Sequence, residues 1–130
     1  MTLADARVRA TIAVSDMDRA VAFYEGVLGL ARLGETMQGQ VRIYPCGQGS
    51  LLQVYASEHA GTGTATVASW SAEDFDALVD ALLAGGVAFD TYEGMPADER
   101  GVHAFGTHRV AWFRDPDGNV LSIDNGASPG

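Results

Sequence analysis

The chain contains no lysine: all eight basic residues are arginines, beside a single cysteine, Cys46, and four prolines. One cysteine excludes an internal disulfide and a thiolate zinc site. No apolar run approaches the roughly 18 residues that a membrane helix requires. The first residues lack the charged-then-apolar order and the small-residue cleavage site of a signal peptide, so the expected location is cytoplasmic. Clustered positive charge is also missing. Eight basic against 17 acidic residues give a net charge of −9. Residues 1–65 carry 6 acids and 5 arginines, a net −1, whereas residues 66–130 carry 11 acids and 3 arginines, a net −8. A phosphate backbone needs grouped Lys and Arg to release its counterions, so nucleic acid is excluded as a partner, and anionic membrane surfaces are disfavoured. A cationic or neutral small molecule suits such a field, although acidity also serves solubility alone.

What is present describes one ordinary globular domain: 130 residues, 47% hydrophobic and 19% charged. The loose stretches are residues 59–63, residues 94–101 and the tail after Asn125. Residues 9–14 alternate Ala10, Ile12 and Val14 with Arg9, Thr11 and Ala13, the period of a strand. Ser15-Asp16 then caps a helix over residues 17–28, whose apolar positions include Ala20, Val21, Phe23, Tyr24, Val27 and Leu28, and Gly29 suits its C-terminus. Strands are expected at 41–44 and 51–55, with an extra one in 31–36. The second half repeats the pattern: a strand at 67–72, a helix at 75–83 behind Glu73-Asp74, and strands at 87–92, 109–113 and 120–124. The turn Asp115-Pro116-Asp117-Gly118 joins the last two, because Pro fixes φ and Gly accepts a positive one.

Superimposing the halves is more informative than either alone. Val14-Ser15-Asp16-Met17-Asp18 falls on Ala72-Glu73-Asp74-Phe75-Asp76 at an offset of 58 positions, and residues 49–54 fall on residues 118–123 at an offset of 69. The difference of 11 is assigned to loop growth at 94–101. The pattern is a tandem duplication of a β-α-β-β-β unit.

Two stretches carry a family resemblance. VSDMDRAVAFYEGVLGL (residues 14–30) and WFRDPDGNVLSI (residues 112–123) resemble the vicinal oxygen chelate superfamily of glyoxalases, bleomycin resistance proteins and extradiol dioxygenases. The resemblance implies an α+β fold. It implies one domain over residues 1–130, made of two tandem βαβββ modules (about 7–57 and 64–125) that curve a mixed sheet around a cup-shaped cavity. It also implies frequent homodimers, and in the family's enzymes a divalent metal held by His, Glu or Gln on the first and last strands of each module. Those positions fall on Arg9, Gln53, Val67 and Ser122 here. Arginine stays protonated, valine has no lone pair and serine is a poor unassisted ligand, so no metal site and no cofactor are expected.

Other chemistry finds little support. His59, His103 and His108 have no helical zinc spacing, and Cys46 has no base near it in sequence. Ser50 and Ser122 lack a nucleophile-elbow setting. Gly47-Gln48-Gly49 has no helix behind it to receive phosphate.

Strand parity gives a candidate lining. If Ala10, Ile12, Val14, Leu52, Val54, Leu121 and Ile123 face the helices, then Arg9, Thr11, Leu51, Gln53, Tyr55, Val120, Ser122 and Asp124 face the cavity, with Val67 and Ser69. Trp70 is then a core residue. Pairing Phe113 with Val120 points Phe113 inward and Trp112 away, unless a bulge at the turn inverts the two. Tyr44, Tyr92, His103, Phe105 and His108 are rim candidates. Arg9 and Asp124 either orient a ligand or neutralise each other as a buried pair. The leading expectation is a metal-free protein that binds, and sequesters, a cationic or aromatic-bearing organic molecule such as an antibiotic. The rival is a glyoxalase-like lyase or isomerase, or a dioxygenase, with a non-standard metal site, for instance through His103, His108 and Asp124. A homodimer is expected, because a curved sheet leaves exposed edges and an open cup.

Overall fold

The computed structural model describes residues 1–126, with residues 35–37 by backbone alone; the tail reading beyond that point lies outside the described residues. The first half builds β1 (Ala10–Val14), α1 (Met17–Val21), β2 (Gly34–Thr36), β3 (Val41–Pro45) and β4 (Leu51–Ala56). The second builds β5 (Thr66–Ser71), α2 (Phe75–Ala84), β6 (His103–Phe105), β7 (His108–Arg114) and β8 (Val120–Asp124). The strands form two four-stranded sheets in the orders β1-β4-β3-β2 and β5-β8-β7-β6, each mixed: the first pair is parallel and the others antiparallel. β1 and β5 lie side by side where the sheets adjoin. This is an α+β fold with two curved sheets. Among the described residues no helix is long and apolar enough to cross a membrane.

Both offsets of the repeat reappear in the hydrogen-bond register. Thr11 pairs with Gln53 across β1 and β4, and Ser69 pairs with Ser122 across β5 and β8. Adding 58 to the first residue and 69 to the second converts one pair into the other. The helix caps repeat as well. The Asp16 carboxylate accepts the Arg19 N–H (3.1 Å), and Asp74, 58 positions on, accepts the Ala77 N–H (3.3 Å).

Alternation decides which face each strand buries. Ile12, Val14, Leu52 and Val54 turn towards the helices, as do Ala111, Phe113, Leu121 and Ile123 in the second sheet, and all eight are at most 2% exposed. With Tyr24, Tyr44, Phe75 and Val79 they make one continuous core. Each large apolar side chain buried this way contributes about 1.5–3 kcal/mol, far more than the intrinsic propensity of these short strands.

Two expectations are corrected. The helix over 17–28 is α-helical only to Val21; residues 22–27 form a wider π turn, in which Leu28 N–H reaches back five residues to the Phe23 carbonyl (2.9 Å). Residues 87–92 do not form a strand. Val87 and Phe89 alternate because both pack on the core, but only Asp90 bridges to β7, its N–H donating to the Trp112 carbonyl (2.8 Å). The outer strand is β6 instead. The extra length of the second half therefore lies between α2 and β6, in the stretch that contains residues 94–101.

Candidate functional site

Because Ile12, Leu52 and Val54 point to the helices, Thr11, Gln53 and Tyr55 point to the open face of the first sheet. Thr11 lies directly beside Gln53, Gln53 beside Ile43, and Tyr55 beside Val41, so these side chains make one patch. Tyr55 is 36% exposed. A groove of about 200 Å³ runs past Thr11, Ala13, Tyr55, His59 and Val67. Arg9 precedes β1 and is exposed; it lines a second groove, of about 270 Å³, with Cys46, Ser50, Leu51, Ser69 and Trp70 where the two sheets adjoin.

The face of the second sheet opposite α2 gathers four other candidates and is largely covered: His103 is 0% and Ser122 4% exposed, while Trp112 and Asp124 are half-buried. Trp112 is opposite Ser122, which is opposite Ser69, and the two serine hydroxyls share a 2.7 Å hydrogen bond. Two residues along, Asp124 accepts from Ser71 Oγ (2.7 Å) and Gly126 N–H (2.8 Å). His103 sits opposite Val110, two residues from Trp112, and so shares this face. Its ring lies 5.3 Å from Trp112, and Tyr92 closes the group at 5.5 Å from Trp112 and 6.2 Å from His103. The segment carrying Tyr92 is clasped to the sheet by Arg114, whose Nε donates to Asp90 (2.9 Å).

Two candidates stand on the other side of their sheets. Tyr44 is 1% exposed, stacks on Tyr24 at 6.3 Å and donates its hydroxyl to Glu25 (2.9 Å); burial pushes that hydroxyl well above the ordinary phenol range, with Glu25 adding to the effect. Phe113 packs in the core between Trp70 (6.5 Å) and Phe89 (6.1 Å). The reason is the length of the loop before β8. Asp115 N–H closes on the Asn119 carbonyl, so Arg114, not Phe113, pairs with Val120, and every side chain of β7 changes face relative to the expectation. Trp112 therefore takes the face opposite α2, and Trp70 packs against the core as expected. Arg9 and Asp124 form no buried pair, since Arg9 is exposed and Asp124 is engaged by Ser71 and Gly126.

Sequence reasoning missed Pro96, whose carbonyl bonds His103 Nδ1 at 3.0 Å. It also missed the buried carboxylate of Asp115, which ties the turn to Tyr24 (2.8 Å). Neither carries a local signal, because both contacts span residues brought together only by the fold.

The residues present do not fit a divalent ion. Arg9 is a cation, Val67 offers no donor, and Ser122 is already bonded to Ser69. Among the described residues no three His, Cys, Asp or Glu side chains group as metal ligands. His103, His108 and Asp124 in particular do not converge, which corrects the alternative metal site.

The family model of the Glyoxalase/Bleomycin resistance protein/Dioxygenase superfamily matches residues 7–123. No curated protein matches the chain. Among solved structures it is similar to a bleomycin-binding protein complexed with bleomycin, at TM-score 0.68 and 20% identity over 93% of this chain and 98% of that one. It is similar to TnmS3, an antibiotic binding protein from Streptomyces sp. CB03234, at TM-score 0.65 and 23% identity over 95% and 98%. Lactoylglutathione lyase from Agrobacterium tumefaciens matches at TM-score 0.64 and 21% identity over 94% of each chain. At such identities the likeness establishes the fold, which hosts both binding proteins and an enzyme. With the duplicated βαβββ register and a family match over nearly its whole length, the chain belongs to the Glyoxalase/Bleomycin resistance protein/Dioxygenase superfamily.

Proposed function

We propose that this protein binds an organic small molecule on the faces of its sheets opposite the helices and sequesters it, as an antibiotic-binding resistance protein does, without metal-dependent catalysis. The observation that supports this is the make-up of those faces. Where the family's enzymes carry metal ligands, Arg9, Gln53, Val67 and Ser122 stand, and around them are aromatic Tyr55, Tyr92 and Trp112 with hydrogen-bonding Thr11, Gln53 and Ser122. Apolar walls with a few orienting polar groups suit an organic ligand, and sequestration needs affinity rather than a reacting constellation. The net charge of −9 favours a cationic or neutral molecule with aromatic parts, such as an antibiotic.

A second copy of the chain belongs to this reading. The two candidate patches stand on different sheets, and neither of the grooves that hold Thr11, Tyr55 and Arg9 includes Trp112 or His103. Closing one chain's first sheet over its partner's second sheet puts both patches in one cup. Titration calorimetry against bleomycin-type and enediyne-type compounds tests the function. Saturable binding at micromolar concentration supports it; no heat with any of them removes the resistance reading.

A further inference from the structure

His103 is fully buried, and its two ring nitrogens are treated differently. Nδ1 lies 3.0 Å from the Pro96 carbonyl. A carbonyl oxygen only accepts, so Nδ1 carries the proton and donates it. In the neutral ring this leaves Nε2 with a bare lone pair. Nε2 is itself buried and has no partner. A buried acceptor left unpaired is costly, and the loop that fixes this tautomer gives nothing to satisfy it. The ring sits on the face of the second sheet opposite α2, against Trp112 at 5.3 Å and covered by Tyr92 at 6.2 Å. Tyr92 is 36% exposed, and its carbonyl accepts the Met95 N–H across a tight turn that contains Gly94 at a φ of +81°.

We infer that His103 Nε2 is the acceptor that reads an N–H or O–H donor on the ligand, in a subsite walled by Trp112 and Tyr92 and entered by displacement of the Tyr92 ring. The inference rests on the small-molecule-binding reading and deepens it: the ligand carries a planar group with a hydrogen-bond donor at its edge. A molecule whose corresponding edge offers only acceptors meets a second lone pair and is rejected.

The test uses a matched pair of probes, indole and N-methylindole, which share a ring and differ in the donor. Imidazole nitrogen NMR on the labelled full chain, assigned by loss of the signal in His103→Gln, first reads the tautomer; a protonated Nδ1 and an unprotonated Nε2 are expected. Indole is expected to move the Nε2 resonance towards its protonated position, while N-methylindole leaves it in place and binds several-fold to about tenfold more weakly. In His103→Phe, which keeps an aromatic ring and removes the acceptor, the two probes are expected to bind alike. A proton found on Nε2 of the free protein overturns the inference whatever the variants do. So does equal binding of the two probes to the natural protein, the result expected if Nε2 is satisfied only by water, and so does failure of both probes to bind at millimolar concentration. None of these results touches the calorimetry with antibiotics, so the subsite and the function can fail separately.

Discussion

Asp115 shows what one side chain contributes to joining the halves. Its buried carboxylate accepts from the Tyr24 hydroxyl (2.8 Å), from Asn119 N–H (2.9 Å) and Nδ2 (2.8 Å), and from Asp117 N–H (3.0 Å). Asn119 Nδ2 also donates to the Ala13 carbonyl at the end of β1 (2.8 Å). The helix of the first half is therefore bonded to the turn of the second. Burial, reinforced by the neighbouring Asp115, pushes the Tyr24 hydroxyl far above the ordinary phenol range, so it remains a donor at every working pH. Tyr24→Phe removes one donor from a buried carboxylate and should cost about 1–3 kcal/mol. Urea unfolding is expected to show a lower midpoint with an unchanged slope. A midpoint equal to that of the natural protein would show that the bond contributes nothing. The turn itself was legible as Asp-Pro-Asp-Gly. The role of its first aspartate was not, because the partner is 91 positions away.

At the scale of elements, every strand but β6 and both helix starts were legible as short-period patterns, and the duplication as two fixed offsets. The face of Thr11, Gln53 and Tyr55 was legible for the same reason: on β1 and β4 the apolar positions alternate cleanly. β3 and β7 offered no such pattern. Val41, Ile43 and Tyr44 are apolar on both faces, and Arg42 is 8% exposed on the helix side because its guanidinium bonds the Gly39 carbonyl (2.6 Å). The face of β7 hangs on a single residue of loop length. β6 has three residues, too few to show any period, so the placement of His103 needed the fold.

One inter-element link makes a pH prediction. Asp76, in the first turn of α2, is bonded twice by Arg109 of β7 (3.0 and 3.1 Å) and once by Arg100 (3.0 Å). These bonds, Arg109's foremost, hold its carboxyl at about 2. A folded-state value below the unfolded one, about 3.9, means that the link stabilises fully above that value and is lost as the pH falls towards 2. Asp76 is exposed, so solvent screens the effect and the contribution is modest. Thermal unfolding between pH 5 and about 2 is expected to fall less steeply for Asp76→Asn than for the natural chain. Parallel slopes would remove Asp76 from the acid response.

The whole molecule raises the question of what covers the open face of the first sheet and the half-buried Trp112 of the second. Each sheet has one face closed by its own helix; the other face of the second sheet is covered at His103 by Tyr92 and Pro96, whereas on the first sheet Val41, Ile43 and Leu51 remain only partly buried, with Tyr55 exposed among them. The outer strands β2 and β6 have three residues each, short edges that discourage endless strand addition while leaving the faces available. A two-fold pairing closes two cups with one interface, because each chain offers one copy of each patch. In that arrangement Thr11, Gln53 and Tyr55 of one chain share a ligand with Trp112, Ser122 and His103 of its partner. Light scattering at tens of micromolar in moderate salt is expected to give twice the chain mass of 13.7 kDa. A ligand stoichiometry of one per chain and a mass that rises with ligand at dilute protein should accompany it, since a shared cup couples binding to association. A mass of 13.7 kDa under all these conditions would sink the shared cup and confine binding to the grooves of a single chain.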